Sequence, residues 1–122
     1  MKSYVDMMDS PCGLDVSLKV MGGKWKPLIL YHLQGGPTRF SQVKQRVAGI
    51  SEKVLIQQLR ELVAMNVLIR RDHQCVPPMV DYALTPFGET LVEALRPLCE
   101  WGTTNRAHVA ATLEAGTTST SG

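Results

Sequence analysis

The sequence predicts an α+β fold that is mostly α: a run of helices, a two-stranded hairpin, then a long last helix. Three observations predict it. Apolar residues recur at helical spacing through five segments, the last and longest beginning near residue 86. Glycine and proline clusters, Gly22-Gly23 and Gly35-Gly36-Pro37, cut those segments apart. Only two short runs, Val67–Arg71 and Val80–Leu84, have the composition and alternation of strands.

Taken in order, Met1 to Ser10 reads as a polar tail. Ser10 is a candidate N-cap with Pro11 in the first helical position, and the first helix carries Leu14, Leu18 and Met21 before Gly22-Gly23 stops it. A second helix, about Lys24 to Leu33, tolerates Pro27 in its first turn and should turn Trp25, Leu28, Ile29 and Leu33 to the core. Thr38-Arg39-Phe40 fits a minimal strand. Ser41 then opens a third helix, with Val43 and Val47 inward and Gln42, Lys44, Gln45 and Arg46 outward. After the turn Ala48-Gly49-Ile50, Ser51 caps a fourth helix, where Glu52 suits the positive end of the helix dipole. Leu55, Leu59, Leu62 and Val63 form its apolar stripe, and Met65-Asn66 ends it. The loop His73 to Met79 joins the two strands. Thr85-Pro86 starts the last helix, whose apolar face is Phe87, Leu91, Ala94, Leu98 and Trp101, with Pro97 expected to kink it. Residues 11–110 therefore form one domain. Residues 111–122, which end in Gly-Thr-Thr-Ser-Thr-Ser-Gly, read as a disordered tail.

The composition, 44% apolar and 20% charged over 122 residues, is that of an ordinary globular domain. No apolar stretch is long enough to cross a membrane, and Met1 to Asp6 lacks the pattern of a secretory signal, so the expected location is the cytoplasm, on the nucleoid. Three cysteines without a C-x-x-C argue against a disulfide framework or a zinc site. No paired carboxylates, nucleophile–base set or phosphate loop is present, and His32, His73 and His108 are scattered. No enzyme, metal or cofactor is therefore expected.

Charge distribution says more than the net +2. From Val16 to His73 there are ten Lys/Arg against three acids, a local +7, and no acid lies between Asp15 and Glu52. A basic middle with acidic flanks suits a surface for a polyanion. The element order, a helix-turn-helix followed directly by a hairpin, is a winged helix-turn-helix, whose second helix enters the major groove of double-stranded DNA. On that helix Lys53, Gln57 and Arg60 share the face opposite the stripe. Gln57 can pair bidentately with adenine, and Lys53 and Arg60 can reach guanine or phosphate. Ser51, at the helix N-terminus, would lie near a phosphate. Arg39, Lys44 and Gln45 flank this helix, and Arg70, Arg71 and His73 lead into the wing, where they can grip the flanking backbone. Two alternatives stand beside sequence-specific binding: an architectural DNA binder without sequence preference, and a winged-helix module for protein contacts.

Several segments resemble the HxlR-type family of bacterial transcriptional regulators, relatives of the MarR winged-helix proteins. They are Cys12-Gly13-Leu14 with Met21-Gly22-Gly23-Lys24-Trp25-Lys26; Gly36-Pro37-Thr38-Arg39-Phe40; Ile50-Ser51-Glu52-Lys53-Val54-Leu55 with Gln58-Leu59-Arg60-Glu61-Leu62; and Val76-Pro77-Pro78-Met79-Val80-Asp81-Tyr82-Ala83-Leu84-Thr85 with Gly88. The resemblance covers roughly residues 11–105. It implies a homodimer built by the first and last helices, with interface residues Leu14, Leu18, Leu91, Leu95, Leu98 and Trp101, and the last helix as the dimerisation helix. A second apolar edge on that helix, Val92, Leu95 and Cys99, independently suggests more apolar surface than a small monomer needs. A two-fold dimer would set two recognition helices about 34 Å apart over a pseudo-palindromic operator, expected to be repressed.

In the resembling family the cysteine matching Cys12 often senses oxidants or electrophiles. A helix N-terminus favours a thiolate, which agrees with that role; a small buried side chain without redox chemistry is the alternative. Cys99 is expected to pack at the dimer interface, with a bridge to Cys12 of the partner subunit as the lesser alternative. Cys75 falls in the wing loop.

Overall fold

The computed structural model describes residues 12–119, which form six helices and three strands. Helix α1, Leu14–Met21, follows Gly13 and stops at Gly22. The expected cap at Ser10-Pro11 and the tail before it lie outside the described residues. Helix α2, Trp25–His32, turns Ile29, Leu30 and the following Leu33 fully inward. Leu28 does not join them. At 100° per residue the buried arc is centred between Ile29 and Leu30, and Leu28 falls behind it, 40% exposed.

Strand β1, Thr38–Arg39, runs straight into helix α3, Phe40–Arg46. The cap of α3 is Arg39 rather than Ser41, because Gln42 reaches back and accepts the Arg39 backbone N–H at 3.2 Å. Val43 and Val47 are buried as expected. Gly49 then takes φ +84°, a conformation that side-chain-bearing residues rarely adopt, and so makes the tight turn into helix α4, Glu52–Ala64. Ser51 caps α4 by accepting the Val54 N–H at 3.2 Å.

Strands β2, Leu68–Asp72, and β3, Val80–Leu84, pair antiparallel from Leu68↔Leu84 to Asp72↔Val80. The expected two-stranded wing gains a third strand. β1 pairs with the free edge of β3 (Thr38↔Tyr82, Arg39↔Asp81), giving the order β1-β3-β2. Thr38, 3% exposed, holds this short strand in place by donating its hydroxyl to the Gly36 carbonyl at 2.9 Å.

Helix α5, Pro86–Thr104, starts as predicted at Thr85, whose hydroxyl accepts the Gly88 N–H at 2.9 Å and reaches the Asn66 carbonyl at 2.6 Å. The helix faces are exchanged relative to expectation. Gly88, Val92 and Leu95 face the core, whereas Phe87, Leu98 and Trp101 are exposed. The cause is the close approach at Gly88. Its Cα lies against the backbone of Val67, a space that a Cβ would overlap, and this contact sets the face that turns inward. Leu95, expected at a dimer interface, is 7% exposed and belongs to the core; Leu91 packs against the core cluster. The helix continues past Pro97 to Asn105, whose backbone N–H and side-chain amide both donate to the Trp101 carbonyl.

Where a disordered tail was expected from residue 111, helix α6 spans Arg106–Ser119. Ala107, Ala110, Ala111, Leu113, Glu114 and Ala115 are strong helix formers, and they outweigh the polar run that follows. One core joins α2, α3, α4, the start of β2 and α5.

Candidate DNA-binding surface

The surface is built on α4. Leu55, Leu59 and Leu62 are buried to 1% or less and fix one side of the helix against the core. That leaves Lys53, Gln57 and Arg60 exposed on the other side, within an arc of about 60°. None of these three side chains has a hydrogen-bond or ion-pair partner among the described residues, so their polar ends are available to a ligand. A shallow depression along this face is lined by Glu52, Lys53, Ile56, Gln57, Arg60 and Glu61. Ile56 is a residue the sequence reading missed. It is 38% exposed between the polar side chains, and its signal was an apolar residue lying off the stripe.

The sheet stands beside α4. A groove of about 640 Å³ between them is lined by Arg60 from the helix, Arg70 from β2, and Phe40, Ile56, Val63, Val80 and Tyr82. The structure therefore brings Arg70 to the α4 set. Arg71 points to the other side of the sheet, because successive residues of a strand alternate. Arg39, at the edge of that sheet, is exposed, as are Lys44 and Gln45 on α3. His73, just beyond β2, is held by Asp81, its Nε2 lying 2.6 Å from Asp81 Oδ2.

Two cations of the basic middle make contacts within the chain. Lys26 is 8% exposed and donates to Gln58 Oε1 at 3.0 Å and to Glu61 Oε2 at 3.4 Å, tying α2 to the inner flank of α4. Arg46 donates to the His32 carbonyl at 3.1 Å. The sequence counts these charges but cannot assign them to a face.

Away from this surface, Leu14 and Leu18 on α1 and Leu98 and Trp101 on α5 are 55–62% exposed, an apolar area that none of the described residues covers. Cys12, Cys75 and Cys99 are all exposed. Among the described residues no helix is long and apolar enough to cross a membrane.

Known proteins match this arrangement. A family model for HxlR-like helix-turn-helix proteins matches residues 20–110. YkvN of Bacillus subtilis (strain 168), an uncharacterized HTH-type transcriptional regulator, is 47% identical over 91 residues, 75% of this chain and 77% of its own. The redox regulator HypR in its reduced form superimposes with a TM-score of 0.76 at 37% identity, over 82% of this chain and 99% of that one. The oxidized form of HypR gives a TM-score of 0.73 at 39% identity, over 77% and 97% of the two chains. With its winged helix-turn-helix and its match across three-quarters of the sequence, this chain belongs to the HxlR-like helix-turn-helix family and is a DNA-binding transcriptional regulator.

Proposed function

We propose that the chain acts in the cytoplasm as a homodimeric repressor that reads a pseudo-palindromic operator with α4. The exposed row of Lys53, Gln57 and Arg60, opposite a fully buried leucine stripe, carries this reading. Gln57 reads an adenine, Lys53 and Arg60 take guanine or phosphate, and Ile56 packs on a thymine methyl group. Ser51 and the first turn of α4 take a phosphate, while Arg39, Lys44, Gln45, Arg70 and Arg71 position the duplex.

Gln57→Ala is expected to weaken binding to the cognate site by about 1–3 kcal/mol and to relax preference at one or two base pairs. Lys44→Ala is expected to weaken all sequences alike and to flatten the salt dependence. Selection from genomic fragments followed by titration at several salt concentrations measures both. Unchanged operator affinity in the two variants would move the site off this helix. Failure to prefer any fragment over bulk DNA would favour an architectural binder without sequence preference.

The dimer forms through α1 and α5, using Leu14, Leu18, Leu98 and Trp101. Cys12 makes the regulator responsive to oxidants or electrophiles. In support, HypR is named a redox regulator, and Cys12 is exposed two residues before α1, although it lies outside the residues matched by the family model. Operator binding by Cys12→Ser is expected to withstand diamide or a quinone at doses that release the wild type. Equal release of both proteins would exclude Cys12 as the sensor.

A further inference from the structure

Asp81 occupies an unusual place in the sheet. It lies on the central strand, in register with Arg39 of β1 on one side and Arg71 of β2 on the other. Residues paired directly across antiparallel strands project from the same face, with Cβ atoms about 5 Å apart. One carboxylate is therefore flanked by two guanidinium side chains. Yet Asp81 forms an ion pair with neither. Its Oδ2 is 2.6 Å from His73 Nε2, and the Asp81 side chain is only 13% exposed. His73 is held in reach by its own backbone N–H, which donates to the Met79 carbonyl at 3.0 Å and closes the hairpin. The second carboxylate oxygen, Oδ1, is buried with no hydrogen-bond partner among the described residues.

Without His73, neither oxygen of the Asp81 carboxylate would have a partner, and such a carboxylate is a strong attractor for a nearby guanidinium, since an unmet acceptor is costly and a charge-assisted bond is among the strongest available. Left to itself, Asp81 would compete with DNA phosphate for Arg39 or Arg71. We propose that Asp81 and His73 are positioning residues of the DNA-binding surface: His73 occupies the Asp81 carboxylate and so leaves the Arg39 and Arg71 guanidiniums available to phosphate. On this account His73 serves DNA binding without touching DNA, which differs from the direct backbone contact that its position in the sequence suggests. The inference rests on the DNA-binding reading above.

The test is the slope of log affinity against log salt concentration for a duplex carrying the selected operator, measured for the wild type, His73→Ala and His73→Ala/Asp81→Asn. The slope counts phosphate contacts, at about 0.9 for each one. Removing His73 alone frees the carboxylate to capture an arginine, so the slope is expected to fall in magnitude by about one contact. Removing the carboxylate charge as well is expected to restore it to the wild-type value. A slope that falls in the single variant and stays low in the double variant would show either that His73 is itself a phosphate contact or that it only stiffens the wing, and would overturn the proposal. An unchanged slope in the single variant would overturn it too. A wild-type protein that binds no DNA would instead remove the underlying reading, so the two failures are distinguishable.

Discussion

Gly88→Ala is expected to destabilise the domain by about 3 kcal/mol or more, the upper part of the range for forcing atoms into a packed site. The added methyl group would overlap the Val67 carbonyl oxygen, a backbone atom that cannot swing aside as a flexible side chain can. Relief requires α5 to back away from β2. That movement would strain the bonds from Thr85 to Val67 and Asn66, and would lift Val92 and Leu95 out of the core. For a domain of this size the loss corresponds to a fall in Tm of roughly 12 °C or more. Thermal or urea unfolding at matched protein concentrations measures it. Superimposable curves for the variant and the wild type would mean that α5 does not depend on this approach.

Leu98→Glu is expected to convert the proposed dimer to a monomer while leaving the fold intact. Leu98 is 62% exposed in the single chain, so a carboxylate there meets water in the monomer but would be buried unpaired between two α5 helices. Operator affinity should fall by about 10²–10⁴-fold, because two linked recognition helices gain an effective concentration that a single helix lacks. Sedimentation gives the mass, circular dichroism the fold, and titration of a full operator against a half-site gives the affinity. A Leu98→Glu protein that remains a dimer with wild-type affinity would place the interface elsewhere.

The sequence was most legible where a local rule decides the outcome. Ser51 and Thr85 cap their helices because a hydroxyl accepting an N–H three residues ahead is a short-range interaction. Leu55, Leu59 and Leu62 are buried because a 3.6-residue period leaves one arc of α4 apolar. It was least legible where distant segments meet. α5 carries two apolar arcs of comparable strength, and periodicity cannot choose between them; the contact of Gly88 with Val67, 21 residues earlier in the chain, makes the choice. The minimal strand at Thr38-Arg39 could be read from its residues, but its pairing with the open edge of β3 could not. The site follows the same division. Lys53, Gln57 and Arg60 could be read from helix spacing, whereas Lys26 dropped out of the basic surface, and His73 acquired Asp81, through contacts between different elements.

The Lys26 clamp also bears on how finely α4 can read a base sequence. A leucine stripe resists lifting a helix off its bed, but it resists rolling only weakly, since apolar contacts have no preferred direction. A roll of about 20° carries side chains at the helix rim some 2 Å sideways, enough to take Gln57 out of reach of the base edge proposed for it. The Lys26 ammonium, seated under the helix between Gln58 and Glu61, acts as an angular key against that roll. If α4 reads the operator as proposed, discrimination among neighbouring base pairs depends in part on a lysine that faces away from the DNA.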